Sequence, residues 1–374
     1  MRFGTSGSAG RWGCTDVGLT AAASPDQLEA RHVFIGDLWE NVAHLIDSAP
    51  SVRDLRIHRL ELLAAALYRE RGVPVPPELA EDARLAQIST LAATAVLKRV
   101  RAVCTGPLLV FKGLEAGTRY PAPGLRPFGD IDLLAPDPEA VQRELESAGF
   151  EGVGDELDWD ELHHLRRLGP PDGLFAVEVH KHPKWVAGLP APRIDDLLAD
   201  AVPSATGIPG VLAPSPPTHA VLLAAHAWAE RPLGCIGDLV DVVAMARACP
   251  EAEVEEVACR YGLERVWATT MVAAGALFGA GATAWPLRTW ARHLPAVRER
   301  TVLESHLERL LAPFSALPPR AALRGAARGL SSTARPTTDE SWRAKFTRSV
   351  QALRHAFVRR SEHERSLRDR GRRR

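Results

Sequence analysis

The chain has 374 residues, of which 46% are apolar and 25% are charged, with equal numbers of acidic and basic side chains. This composition is typical of a globular protein large enough for two domains, and the zero net charge excludes a field that would draw a polyanion to the whole chain. No apolar signal region opens the sequence and no window reaches the roughly 18 apolar residues of a membrane span, so we expect a cytoplasmic protein without a membrane partner. The five cysteines form no Cys-x-x-Cys pair, which argues against a structural zinc site and against a disulfide framework.

The first third of the chain is predicted to be helical. Residues 1–23 are rich in small polar residues without a period and predict a disordered arm, whereas residues 24–105 predict a helical segment. The predicted helices are Leu28–Ile46, Val52–Arg71 and Glu78–Val103. In the third helix an apolar stripe at helical spacing predicts the core-facing side; it contains Leu85, Ile88, Ala92, Ala95 and Val103.

At residues 106–194 the apolar period changes from about 3.6 to 2, which predicts strands. The first strand, Leu108–Phe111, runs into Lys112 and Gly113, and glycine allows backbone to approach a phosphate closely. A second strand, Gly129–Leu134, places Asp130 and Asp132 on one face. A third strand, Phe175–His182, alternates so that its polar residues share one face; they are Glu178, His180 and His182.

Weaker elements fill the rest of this region, and helices follow it. We predict a loop at Glu115–Phe128, a helix at Glu139–Ala148, and short strands near Phe150–Val153 and His163–Leu168. Residues 195–335 predict a helical domain, with helices at Pro216–Ala229 and Ile236–Ala248, a helix pair or one long helix at Ala252–Gly279, and breaks at Pro313, Pro318-Pro319 and Pro336. Residues 336–374 predict an Arg-rich tail, helical or disordered.

Two carboxylates on one face of a buried strand repel each other and resist desolvation, so they normally require a cation. The simplest cation is Mg²⁺ or Mn²⁺, although an isolated Asp-x-Asp is more often a surface turn. His180, His182, His163 and His164 offer an alternative zinc cluster, but paired aspartates prefer hard, oxygen-binding cations.

The order and spacing of these motifs resemble the uncharacterised nucleotidyltransferase family of the DNA polymerase beta superfamily. The residues that carry the resemblance are Phe111-Lys112-Gly113, Tyr120, Arg126, Asp130-Ile131-Asp132-Leu133-Leu134 and Glu178-Val179-His180. It extends over about Leu28–Gly279, with His226 and an aspartate at 238 or 241 in the later part. The superfamily's usual Gly-Ser is replaced by Lys112-Gly113, and the third carboxylate is a glutamate.

The resemblance implies an α+β fold, with a small mixed β-sheet core between a helical N-terminal segment and a helical C-terminal domain. It implies catalytic and metal-binding roles for Asp130, Asp132 and Glu178, and nucleotide-binding roles for Lys112, Gly113, Arg126 and Tyr120. His180 and His226 are expected to support the site or to contact substrate, although His226 on an apolar helix face is more often a core histidine. Asp238 and Asp241 are expected to orient helices or polar side chains.

The implied reaction is transfer of a nucleoside monophosphate from ATP or another NTP to an acceptor hydroxyl, with release of pyrophosphate. The acceptor is expected to be a small molecule or a protein side chain rather than nucleic acid, because a nucleic-acid groove requires a basic stripe and only the tail is basic. Two alternatives remain: a non-catalytic nucleotide- or partner-binding module of the toxin-antitoxin type, and a metal-dependent phosphotransferase.

Overall fold

The computed structural model describes residues 38–153, 163–171, 173, 175–279, 284–336 and 341–371. The arm predicted at 1–23 and the beginning of the helix predicted from Leu28 lie outside the described residues. The protein is α+β, with helices before and after a mixed sheet, as the sequence predicted. Within the described part, no helix is both long enough and apolar enough to cross a bilayer.

From residue 38 onward, four helices precede the sheet: Leu38–Ser48 (α1), Val52–Ile57 (α2), Glu61–Glu70 (α3) and Pro77–Val103 (α4). The single helix predicted over Val52–Arg71 is therefore wrong. The backbone turns at Arg59, where φ is 57°, and the amide of Leu60 donates to the carbonyl of Leu55. A positive φ cannot continue a right-handed helix, and nothing in the apolar period marks this turn.

The apolar stripe predicted for α4 is wrong at Leu85, Ile88 and Ala95. Leu85 and Ile88 are 47% and 41% exposed, and Ala95 is exposed as well. The buried face is set instead by contact with the sheet, through residues such as Leu97 and Val100. Helix α4 carries apolar residues on more than one face, so helical spacing alone did not identify the packed one.

In the described part of the chain the sheet has seven strands, in the order β3-β4-β5-β2-β1-β7-β6. They are Leu108–Val110 (β1), Asp130–Leu134 (β2), Glu151–Gly152 (β3), Leu168–Gly169 (β4), Ala176–His180 (β5), Val202–Pro203 (β6) and Val211–Ala213 (β7). Strand β2 lies at the centre, antiparallel to β1 and parallel to β5. Strands β6 and β7 interrupt the chain that was predicted to be helical after Asp195; they are too short for a period of two to show in the sequence.

The two faces of the central strands have different partners. Ile131 and Leu133 of β2 pack in one core with Leu97 of α4 and with Val141 of the helix Pro138–Ser147 (α6). Because side chains alternate along a strand, Asp130 and Asp132 lie on the face away from this core.

The region predicted as a loop begins with a single turn of helix, Leu114–Gly117 (α5).

The remaining helices are Ile194–Ala199 (α7), Pro216–Glu230 (α8), Ile236–Ala246 (α9), Glu251–Arg260 (α10), Glu264–Phe278 (α11), Trp285–Thr289 (α12), Val302–Ala316 (α13), Pro319–Ala334 (α14), Trp342–Arg354 (α15) and Arg360–Gly371 (α16). The segment Ala252–Gly279 is thus a helix pair. The break predicted at Pro313 is wrong, because α13 continues through it and ends only at Ala316. Proline in a last turn removes one hydrogen bond only, and α13 packs along α14.

Candidate active site

Strands β2 and β5 bring the predicted carboxylates together. Asp132 is paired in register with Glu178, and the two strands run parallel, so their side chains stand next to each other on one face. Asp132 is 1% exposed and Glu178 is 4% exposed. Two buried carboxylates in adjacent positions need compensating positive charge, which the surrounding residues supply.

Lys112 and His180 neutralise Asp132. The Nζ of Lys112 lies 3.0 Å from Oδ1 of Asp132, because β1 runs antiparallel to β2 and delivers Lys112 to this point. Nε2 of His180 lies 2.8 Å from the same oxygen and 3.6 Å from Glu178. Burial by itself would raise the pKa of Asp132, but Lys112 and His180 outweigh it and hold the pKa well below its usual range.

Asp130 lies nearer the solvent, beside Arg167. Arg167 is 3.6 Å from Asp130 and forms a close ion pair with Glu178, so one guanidinium borders both carboxylates. Burial raises the pKa of Asp130, and the negative charges of Asp132 and Glu178 raise it further. Arg167 lies within the strand predicted at His163–Leu168, directly before β4, and it was not identified as a site residue because no motif marks it.

Of the four histidines considered as zinc ligands, three lie close together and the fourth does not. The rings of His163, His164 and His180 lie 4.9 to 5.6 Å apart, centroid to centroid, but His182 is exposed beyond the end of β5 and its Nδ1 contacts the carbonyl of Pro183. The alternation predicted through His182 ends at His180 because the strand ends there. Among the described residues, the group able to share a metal ion is Asp132, Glu178 and His180, whose ligand atoms all lie within 4.8 Å of one another.

A cavity of about 440 Å³ opens in front of these strands. Lys112, Gly113, Asp130, Asp132 and Glu178 line one side. The facing side comes from the end of α2 and the turn after it, the segment after β5, the end of α8 with the loop that follows it, and the start of α9. It includes Arg59, Lys184, His226, Glu230, Arg231, Asp238 and Asp241.

Arg126 is held in the cavity wall by Asp241. Its Nε and Nη2 donate to both oxygens of Asp241 at 2.8 to 3.0 Å, and the hydroxyl of Tyr120 donates to the same carboxylate at 2.7 Å. Arg126 and Asp241 are each 7% exposed. Burial disfavours the charged guanidinium, but Asp241 outweighs it, so the pKa of Arg126 is raised. Tyr120 packs against Trp39 and reaches the site through Asp241.

His226 and Gly113 complete the region around Lys112. Nε2 of His226 lies 3.4 Å from Nζ of Lys112, and burial, followed by the charge of Lys112, holds the pKa of His226 well below its usual range. Gly113 has φ 53° and ψ −116°, and a Cβ there would lie 3.3 Å from the carbonyl oxygen of Asp130. The tight turn after β1 therefore requires glycine.

The loop 231–235 of the facing wall is fixed from behind by the C-terminal region. Nη2 of Arg300 donates to the carbonyls of Pro232 and Leu233 at 3.1 and 2.9 Å, and Nε2 of His293 lies 3.2 Å from the carbonyl of Gly234. Three consecutive carbonyls are thus satisfied by side chains that lie more than fifty residues away in sequence. Sequence patterns gave no signal for this support.

Comparison with known families agrees with this geometry. The model of a family of uncharacterised nucleotidyltransferases matches residues 51–279, a span that includes β1 to β7 and both walls of the cavity. No curated protein matches the chain. Because the match covers more than half of the 374 residues, the protein belongs to this family of uncharacterised nucleotidyltransferases.

Proposed function

We propose that the protein is a metal-dependent nucleotidyltransferase, which moves a nucleoside monophosphate from an NTP to an acceptor hydroxyl and releases pyrophosphate. Family membership supports nucleotidyl transfer as the reaction class. The observation that carries the proposal is the in-register pair Asp132 and Glu178, buried at the edge of a cavity that Asp130 also lines. A fold without catalytic chemistry has little physical reason to keep three carboxylates on one sheet face.

The residues fit a divalent metal. Asp132 and Glu178 supply hard oxygen ligands in a buried position, and His180 reaches both of them. Lys112 and Arg167 pair with these carboxylates in the structure, and a bound metal would take over that role. Asp130 borders the same cavity and is the third carboxylate for this role. A bound Mg²⁺ or Mn²⁺ supplies charge for the triphosphate and favours ionisation of the acceptor hydroxyl.

Lys112 and the turn at Gly113 are placed for the phosphates. The ammonium of Lys112 pairs with Asp132, and it would be free to pair with phosphate oxygens if a cation took its place at the carboxylates. Gly113 allows backbone to come close, since no side chain projects there. Arg126 adds a fixed positive charge, because Asp241 determines where its guanidinium lies.

In the proposed transfer one bond to the α-phosphorus forms and another breaks. The acceptor oxygen forms a bond to the α-phosphorus, the bond from that phosphorus to the bridging oxygen of pyrophosphate breaks, and the hydroxyl proton passes to the carboxylate of Glu178. ATP is the nucleotide we expect, with a small molecule or a protein side chain as acceptor. The cavity is mixed in charge and has no continuous basic stripe, which disfavours a long nucleic acid.

The first experiment is a thermal-shift titration with each NTP, with and without Mg²⁺ or Mn²⁺. We expect a rise in Tm that requires both metal and nucleotide, because a ligand that binds only the folded state stabilises it. The rise should be lost in Asp132→Asn and retained in Asp137→Asn, a carboxylate that caps α6 away from the cavity. Absence of any shift in the wild type would favour the non-catalytic partner-binding module.

Product analysis separates the two transfer reactions. With γ-labelled and α-labelled ATP and a cell extract as the source of acceptor, nucleotidyl transfer places the α-label on the acceptor and releases pyrophosphate. A phosphotransferase would instead place the γ-label on the acceptor and release ADP.

A further inference from the structure

The turn between α2 and α3 contains a residue with a left-handed backbone conformation, Arg59, to which the proposed reaction assigns no role. Among the described residues, three that are not glycine have positive φ: Arg59 at 57°, Leu233 at 45° and Val297 at 42°. Of these, Arg59 lines the cavity. A left-handed conformation costs an ordinary residue about 1–2 kcal/mol, and such strain is concentrated at functional sites.

The surrounding chain is built to keep Arg59 in this conformation. The amide of Gly237 donates to the carbonyl of His58 at 2.9 Å, so the start of α9 lies directly against the turn. A Cβ on Gly237 would lie 2.7 Å from Cβ of Arg59 and 3.1 Å from the carbonyl oxygen of His58. On the other side, Nε2 of His58 contacts the carbonyl of Arg298 at 2.9 Å. The position of Arg59 thus depends on a glycine in α9 and on a buried histidine.

The side chain of Arg59 is available to a ligand. It is 53% exposed, and Nη1 donates to Oδ1 of Asp238 at 3.0 Å. By contrast, Arg126 is buried and donates through two nitrogens to both oxygens of Asp241, one helical turn further along α9. Asp238 raises the pKa of Arg59 despite partial burial, so the guanidinium stays charged. A single half-exposed contact is weak and is readily exchanged for a stronger anionic partner.

We propose that Arg59 is an anion-binding residue of the cavity, which takes a phosphate group of a substrate in addition to the phosphate contacts of Lys112 and Arg126. This inference rests on the proposed function for the source of the phosphate. The phosphate belongs either to the NTP tail or to an anionic acceptor. The strained backbone is retained because it directs the guanidinium into the cavity, where glycine would be conformationally easier but would bind nothing.

The test uses Arg59→Gly, for which stability and binding should change in opposite directions. Removing a half-exposed ion pair costs little, whereas glycine accepts a positive φ, so we expect Tm to be unchanged or higher. Affinity for the phosphate-bearing ligand should fall about tenfold, as for loss of one charge-assisted contact. Arg59→Asn, which also tolerates this conformation, should give the same pattern. Arg56→Ala is the matched control: it removes a half-exposed arginine ion pair, with Asp82, at a residue of α2 outside the cavity lining, and it should leave affinity unchanged.

The ligands are ATP, ADP and AMP with Mg²⁺, and inorganic phosphate and pyrophosphate, each measured by calorimetry on the full chain. If Arg59→Gly weakens the affinity for ATP but not for AMP, Arg59 binds the phosphate tail of the NTP. If the variant instead weakens the affinity for inorganic phosphate, measured with ATP already bound, Arg59 binds an anionic acceptor. Unchanged affinity for every ligand, or a fall in Tm with no loss of affinity, would overturn the proposal. If the wild type binds phosphate or pyrophosphate but no nucleotide, the proposed function fails while the role of Arg59 can still be measured.

Discussion

The sharpest test of the site's construction is removal of Asp241. In the wild type this carboxylate accepts three hydrogen bonds from Arg126 and one from Tyr120, and both charged residues are 7% exposed. Asp241→Ala leaves the guanidinium buried and uncompensated. Breaking a buried pair in this way costs about 3–5 kcal/mol, and the unpaired hydroxyl of Tyr120 adds about 1 kcal/mol.

The matched control is Asp82→Ala. Asp82 also accepts two hydrogen bonds from one arginine, Arg56, at 2.7 and 3.0 Å, but the side chain of Arg56 is 46% exposed. Solvent screens this pair, so its loss should cost at most about 1 kcal/mol. The measurement is the free energy of unfolding in urea at pH 7. Equal losses in the two variants would show that burial does not strengthen the Arg126 pair and would refute the reasoning.

A double variant then separates stability from function. Arg126→Met with Asp241→Leu replaces the buried pair by apolar side chains and should recover most of the stability lost in Asp241→Ala. If Arg126 neutralises the triphosphate, NTP affinity in this variant should remain at least about tenfold weaker than in the wild type. Wild-type NTP affinity in a folded double variant would remove Arg126 from the nucleotide site.

Three further predictions concern stability and local order. Gly113→Ala should lower the free energy of unfolding, measured in urea, by about 1–3 kcal/mol, because Gly113 has a positive φ and a Cβ there would lie close to the carbonyl of Asp130. Gly106 has open space around it, so Gly106→Ala should change the same quantity by less than about 0.5 kcal/mol. Burial lowers the pKa of His58 to about 4, so below the usual pKa of 6.5 the unfolded state binds more protons than the folded state. The free energy of unfolding should therefore fall by about 3 kcal/mol as the pH is lowered from above 6.5 towards 4. His58→Phe should reduce this fall, which urea titrations at pH 7.5 and 5 would measure. Arg300→Met should speed amide hydrogen exchange in residues 231–235 but not in β2, because two carbonyls of that loop lose their hydrogen-bond donor. Unchanged exchange in residues 231–235 would show that the C-terminal region does not hold the cavity wall.

The local chemistry of the site could be predicted from the sequence because it depends on short-range periodicity. Alternation along a strand placed Asp130 and Asp132 on one face of β2, and it likewise placed Glu178 and His180 on one face of β5. The resemblance to the nucleotidyltransferase family rested on the order and spacing of these motifs, and the family match over residues 51–279 confirms the family. The roles of the individual residues stay predictions, as do the domain boundaries and the function of the basic tail.

Tertiary contacts decided the features that no periodicity records. The bend at Arg59 depends on Gly237, which is distant in sequence, and the buried face of α4 depends on where the sheet lies. Asp241 was expected to orient helices or polar side chains, and the tertiary structure shows that the side chain it holds is that of Arg126. Arg167, Arg59 and Arg300 reach the site or its wall from segments without a motif, because long-range packing, unlike strand alternation, leaves no repeat in the sequence.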